Sequence, residues 1–195
     1  MRIGIEGPSF AGKTTLCEEL ARQFPRHYGV VPEYVTYAGG ETKFPAFPPT
    51  TNEAALAAFH FFMQIEERRQ SDAASKPTDH VIFDRSLFTL AAYEYAVSPK
   101  TGVDVLSEVE KAIEQRRSWW PNIIVVLELS PAEITRRVVS TKSTQAPLFL
   151  EEAFNIRFGY YLRGVKSRFG VNVQFISAEK NPDQTREALL RVLDP

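Results

Sequence analysis

The chain has 195 residues, 44% hydrophobic and 24% charged, with 23 Lys and Arg set against 24 Asp and Glu. That length predicts one domain over residues 1–195 with a sizeable core, and a formal net charge of −1 argues against a surface built mainly for nucleic acid. No apolar run is long enough for a signal peptide or a bilayer span, and the one cysteine, Cys17, cannot form an internal disulfide, so the expectation is a cytoplasmic protein free of membrane.

Arg2-Ile3-Gly4-Ile5-Glu6 is a short, largely apolar run suited to a buried strand. Gly7-Pro8-Ser9-Phe10-Ala11-Gly12-Lys13-Thr14 follows and fits the phosphate-cradling pattern G-x-x-x-x-G-K-[ST] without a mismatch. Leu16, Leu20 and Ala21 then fall on one face of a helix, on which Cys17 reads as a core residue. Strand, loop and helix come in the order the motif requires. Backbone N–H groups of the loop and the positive end of the helix dipole can surround a polyphosphate. Lys13 adds a charge towards the β- and γ-phosphates, and the Thr14 hydroxyl is placed to ligate Mg²⁺. A glycine-rich turn with a chance lysine is the plain alternative.

Residues 29–33 predict a second strand ending in the carboxylate of Glu33. From Thr36 to Asn52 the breakers Gly39, Gly40, Pro45, Pro48 and Pro49 predict no regular structure, with Phe44 and Phe47 as anchors. So long a loop in a compact domain is more often functional than idle. Glu53 to Ser71 reads as a helix capped by Thr51 or Asn52. Its apolar set, Leu56, Phe59, Phe61, Phe62, Met63 and Ile65, is too wide for one face and predicts burial on two sides, with Phe61 and Phe62 as core. His60 and Gln64 are four apart and share a face, which makes Gln64 a candidate acceptor contact.

Residues 80–84 form an apolar strand ending in Asp84-Arg85-Ser86. An acid at that place is the usual companion of a phosphate loop, reaching Mg²⁺ directly or through water; a turn-capping role is the alternative for Asp84. Leu87 to Val97 predicts a helix, 98–102 a turn, and Asp104 to Trp119 a helix stopped by Pro121. Residues 123–129 form a continuous apolar run, as in a parallel strand covered on both faces. Ser130, Pro131 and Glu133 make a capping-box start for a helix carrying Arg136 and Arg137. After a polar break at 141–147, Leu150 to Phe169 predicts a helix, 171–176 a strand and Pro182 to Leu193 a helix. The alternation predicts an α/β fold, a doubly wound five-stranded parallel sheet with helices on both faces and ligands at the carboxyl ends of the strands.

Ile5-Glu6-Gly7 through Gly12-Lys13-Thr14-Thr15, Asp84-Arg85-Ser86, Ala92-Tyr93-Glu94, Ser130-Pro131 to Arg137, and Phe154, Arg157 and Tyr161 together resemble the thymidylate kinase and deoxynucleoside kinase group of P-loop kinases. The resemblance covers nearly the whole chain. It implies that Gly7 to Thr15 hold ATP–Mg²⁺, with Lys13 and Thr14 on the phosphates and metal. It implies that Asp84 helps place the metal, that Arg85 steadies the transferring group, and that Arg137 lies at the base of a short lid around residues 138–149. Phe59 is implied to stack on the acceptor base, Tyr93 to pack under its sugar, Lys142 to reach substrate from the lid, and two chains to form a homodimer. Glu33 in Pro-Glu-Tyr-Val is similar to the glutamate of deoxynucleoside kinases that acts as base on a hydroxyl. Pro32 stands where thymidylate kinases carry an arginine for the acceptor phosphate, Phe10 takes the place of a loop arginine, and the thymine-pairing arginine is missing.

The expectation is an ATP- and Mg²⁺-dependent kinase moving the γ-phosphoryl group to a nucleoside, a nucleoside monophosphate or a related small molecule, with the balance towards a hydroxyl acceptor. A kinase for a non-nucleotide metabolite, and a nucleotide-sensing module without transfer, are the alternatives.

Overall fold

Alternation along the central strands decides how the layers form. In β4 (Ile123–Glu128), Ile124 and Val126 enter one core cluster while Ile123, Val125 and Leu127 enter the other. A period of two sends neighbouring side chains to opposite faces, so a strand apolar at every position needs a cover on each side. The computed structural model describes residues 1–141, 147–179 and 181–193. In chain order the elements are β1 (Arg2–Glu6), α1 (Lys13–Gln23), β2 (Tyr28–Val31), α2 (Tyr34–Ala38), α3 (Asn52–Ser75), β3 (His80–Asp84), α4 (Phe88–Thr101), α5 (Leu106–Glu114), β4, α6 (Pro131–Thr141), α7 (Glu152–Phe169), β5 (Asn172–Ser177) and α8 (Pro182–Leu193). All pairings are parallel, in the order β2-β3-β1-β4-β5. One core packs α3, α4, α5 and α7 on the sheet; the other packs α1 and α8 on its opposite face. Cys17 is fully buried in that second core. The five-stranded, doubly wound sheet expected from sequence is the one that forms. No helix among the described residues is long and apolar enough to cross a membrane.

Several boundaries differ from expectation, each for a local reason. β2 ends at Val31, so Glu33 lies beyond the strand, in extended conformation just ahead of α2. The stretch from Thr36 was expected to be irregular, yet Tyr34–Ala38 is helical, held by the buried Tyr34 and closed by Gly39 in the left-handed region. A single 3₁₀ turn follows at Glu41–Lys43. For α3 the cap is Thr51, whose hydroxyl accepts from the Ala54 N–H at 3.1 Å.

The turn expected at 98–102 is instead the last turn of α4, with Pro99 inside the helix. Proline has no N–H for the carbonyl four residues back. Here that carbonyl, Tyr95 O, accepts from Arg157 Nε and Nη2 at 3.2 and 3.0 Å, so the helix continues to Gly102. The helix expected over 104–119 stops at Glu114, where the Trp120 indole takes the Ile113 carbonyl at 3.0 Å; Arg117–Trp119 is a 3₁₀ turn. A 3₁₀ turn at Pro147–Leu150 likewise precedes α7. At α6, Ser130 Oγ accepts from the Glu133 N–H at 3.3 Å, but the reciprocal arm comes from Glu179, whose carboxylate accepts from the Ser130 N–H at 2.9 Å. Glu133 is taken by Arg136 and Arg137 instead.

Candidate active site

The phosphate loop leaves β1 through Gly7, whose φ is 137°. A Cβ there would meet the Leu127 carbonyl oxygen at 2.5 Å, so no side chain fits. Phe10 (φ 66°) and Gly12 (φ 84°) also adopt left-handed backbone, which curls the loop over the start of α1. No side chain caps α1 and its first turn carries no acid, so the helix presents its N-terminal N–H groups to the loop. Lys13 is buried and donates from Nζ to the Pro8 carbonyl at 2.8 Å. Burial pushes its ammonium down to about 8, against the pull of the carboxylates of Glu33, Asp84 and Glu6.

Across from the loop, β3 delivers Asp84 and Arg85. Thr14 Oγ1 donates to Asp84 Oδ2 at 2.6 Å, while Asp84 Oδ1 is buried without a hydrogen-bond partner. A buried carboxylate oxygen without a partner is costly, and a hard cation beside the Thr14 hydroxyl would supply one. The residues present therefore fit Mg²⁺ bound with a nucleotide's phosphates. No cluster of three or more acidic, His or Cys ligands occurs among the described residues, which suits an ion that keeps several waters and is bound through one or two protein groups and substrate phosphates.

Arg85 has φ 64°, an uncommon setting for a side chain this large. Its side chain is held on several sides. Nε donates to Glu33 Oε1 at 2.5 Å, Nη1 donates to the Gly7 carbonyl at 3.2 Å, and the guanidinium lies 5.5 Å from the Tyr93 ring centre. Burial pushes the Glu33 carboxyl up, but Arg85 and Lys13 outweigh it and hold it below the ordinary carboxylate range. Fully buried Glu6 accepts from Ser86 N, Ser86 Oγ and Thr89 Oγ1 at 2.7–2.8 Å, with Arg85 at 4.0 Å. Burial raises its pKa, partly offset by Arg85 and these hydrogen bonds.

Sequence reasoning missed the group that holds this turn in place. Arg69, fully buried on α3, donates to the carbonyls of Asp84 (2.9 Å), Arg85 (2.6 Å) and Pro32 (3.0 Å), and pairs with Glu66 at 2.6 Å. Glu66 also accepts from the Tyr34 hydroxyl at 2.7 Å, and the Arg69 guanidinium lies 4.2 Å from the Tyr34 ring centre. Spacing carried only part of the signal, for it marks Glu66 but not Arg69. Phe59, Met63, Glu66, Gln70 and Ala73 fall on one helical stripe and all are buried. Gln64, expected to face the acceptor, lies with His60 on the exposed face of α3. That expectation is corrected: the stripe turns past position 64 and places Glu66 and Arg69 inside.

A cavity of about 470 Å³ opens between the loop and residues 41–49. Ser9, Phe10, Gly12, Lys13, Thr14 and Thr15 form its loop side, with Glu33 and Arg85 at the same rim. Gly7, Pro8 and Ala11 do not line it. Phe59 and Tyr93, which the family resemblance implied would meet the acceptor, are in its wall, and Phe62, expected as core, is there too. Phe44 and Phe47 do anchor the proline-rich segment. Phe44 packs on Phe62 at 5.0 Å and Phe47 stacks on Phe149 at 5.2 Å, giving the cavity aromatic walls. Arg137 is not at this cavity. It donates to the Phe10 carbonyl at 2.9 Å, the Ala178 carbonyl at 2.6 Å and Glu133 at 2.6 Å, bracing the back of the loop. With Ala11, Gly12, Thr15, Ala178 and Pro182 it lines a second cavity of about 140 Å³. Lys142, with residues 142–146 of the lid expected around 138–149, lies outside the described residues.

The AAA domain family matches residues 2–146. Among solved structures the chain is similar to deoxyadenosine kinase from M. mycoides with bound dATP, at 16% identity and TM-score 0.72 over 100% of both chains. The same enzyme with the products dCMP and dCDP gives 16% identity and TM-score 0.70, covering 100% of this chain and 99% of that one. With bound dCTP it gives 15% and 0.69 over the same shares. No curated protein matches the chain. At these identities the likeness establishes the P-loop kinase fold.

Proposed function

The chain belongs to the AAA domain family, and we propose that it is a kinase which moves the γ-phosphoryl group of ATP to a hydroxyl of a nucleoside-sized small molecule. The observation that carries this reading is the Glu33–Arg85 pair, 2.5 Å apart, at the rim where the phosphate loop meets the aromatic cavity. A carboxylate base and a guanidinium at one junction suit transfer from a polyphosphate to a hydroxyl.

In this reading the cavity beside Arg137 takes the donor's base, the loop amides and Lys13 hold its phosphates, and the aromatic walls take the acceptor. Thr14 and Asp84 would hold Mg²⁺, which would neutralise charge on the donor's phosphates. The acceptor oxygen attacks the γ-phosphorus, the bond to the β-γ bridging oxygen breaks and ADP leaves, and the hydroxyl proton passes to Glu33. Arg85 faces the charge on the transferring group. Binding both substrates in line supplies much of the rate, since positioning is the protein's main task here.

Incubation with γ-labelled ATP, Mg²⁺ and parallel panels of nucleosides and nucleoside monophosphates tests the proposal. Label should appear in nucleoside monophosphates. Label only in diphosphates would overturn the hydroxyl acceptor, and ATP bound without transfer to any acceptor would overturn the kinase. Asp84→Asn is expected to raise the Mg²⁺ concentration needed for half-maximal transfer by about tenfold or more, because a neutral amide is a poorer partner for a hard cation. An unchanged Mg²⁺ titration would leave Asp84 as a cap for the Thr14 hydroxyl.

A further inference from the structure

The acceptor cavity contains a carboxylate that phosphoryl transfer does not use. Glu94 lies one turn after Leu90 on α4, and both line the cavity beside Tyr93. At 1.5 Å per residue, Glu94 sits about 9 Å along the axis from Phe88, where α4 begins beside the Arg85 turn. Of the α4 residues that line the cavity it is the furthest along the helix from the Arg85 turn. No described side chain donates to it or pairs with it. The cations that line the cavity are both engaged elsewhere, Lys13 on the Pro8 carbonyl and Arg85 on Glu33. Ala58, Phe59, Phe62 and Leu90 make apolar wall in the same cavity. Burial alone pushes the Glu94 carboxyl up to about 7; no neighbouring charge counters it.

An ionised carboxylate only accepts hydrogen bonds. Aromatic walls suit a flat ring, so the edge of that ring is what Glu94 meets. We propose that Glu94 selects the acceptor by its ring edge, taking a heteroaromatic that presents an exocyclic amino donor and rejecting one whose edge sets carbonyl oxygens against it. Adenine, guanine and cytosine carry exocyclic amino groups, whereas thymine offers carbonyl oxygens on either side of one N–H. Matching a donor to the carboxylate restores a partner lost on burial; a carbonyl against it leaves both acceptors unpaired. This inference rests on the cavity being the acceptor site.

Equilibrium binding by calorimetry and kcat/KM at pH 8 for deoxyadenosine, deoxyguanosine, deoxycytidine and thymidine test it. The wild-type chain should prefer at least one amino-bearing nucleoside over thymidine by about 10–100-fold, the worth of a hydrogen bond to a charged group. Glu94→Leu should bring that ratio within about threefold, and Glu94→Gln, which can donate as well as accept, should raise thymidine binding specifically. A wild-type preference below about threefold, binding of none of the four, or a ratio untouched in both variants would overturn the proposal. Discrimination in binding that disappears in Glu94→Leu, with no transfer to any acceptor, would support the role of Glu94 while sinking the kinase reading.

Discussion

Glu33→Gln is expected to lower kcat on a hydroxyl acceptor by about 10²–10⁴-fold, the usual worth of a general base, with KM for ATP little changed. The substitution is close to isosteric, and its amide oxygen can still accept from Arg85 Nε, which Glu33 now meets at 2.5 Å. What it removes is a site for the proton. Burial alone would raise the Glu33 carboxyl, but Arg85 and Lys13 reverse that and hold it below the ordinary carboxylate range. At neutral pH it is therefore ionised and open to a proton. A phosphate monoester, with its second pKa near 6, is already largely ionised and needs no such base. Arg85→Met serves as the control, because loss of the guanidinium should impair transfer to either kind of acceptor. A Glu33→Gln enzyme that keeps kcat within about threefold beside a dead Arg85→Met would exclude the hydroxyl reading and favour a nucleoside monophosphate.

The second large effect belongs to a residue outside the cavity. Arg69→Met is expected to destabilise the chain by roughly 3–5 kcal/mol, the cost of leaving one partner of a buried ion pair alone. Glu66 would keep only Tyr34 and Gln70, and the carbonyls of Pro32, Asp84 and Arg85 would lose their donors. In a chain of this size that corresponds to a fall in Tm of about 6–20 °C. Adding Glu66→Met removes the stranded charge and should recover most of the stability, since apolar residues of similar volume commonly replace buried pairs. It cannot restore the hydrogen bonds that fix the Asp84-Arg85 turn. The double variant is thus expected to fold well and transfer poorly, with kcat lowered more than KM for ATP. Wild-type kcat in that variant, or a single variant within about 1 kcal/mol of wild type, would sink the positioning role assigned to Arg69.

How much of the site was legible varied with how local its determinants are. Gly7 to Thr15 could be read whole because the loop's left-handed glycines, its lysine and its hydroxyl are contiguous, and the neighbouring strand and helix are set by local periodicity. The unbroken apolar run of β4 likewise announces a strand covered on both faces. α3 is the contrary case. Its apolar residues ring much of the helix, so spacing by itself left open which polar residues turn inward. Packing against α2 and the end of β3 exposed Gln64 and enclosed Glu66 and Arg69.

By itself, then, the sequence determined the parallel α/β sheet, the phosphate loop and the acid that ends β3, all of them products of short-range pattern and backbone sterics. Only the tertiary structure decided that Glu33 and Arg85, 52 residues apart, form one pair, and that Arg137 braces the loop from behind. It alone decided that Glu179 completes the cap of Ser130, and that Arg157 satisfies the carbonyl Pro99 leaves free. Each of these joins groups distant in the chain. Their pairing follows from which buried donors and acceptors the packed layers bring within reach, and no local period encodes that.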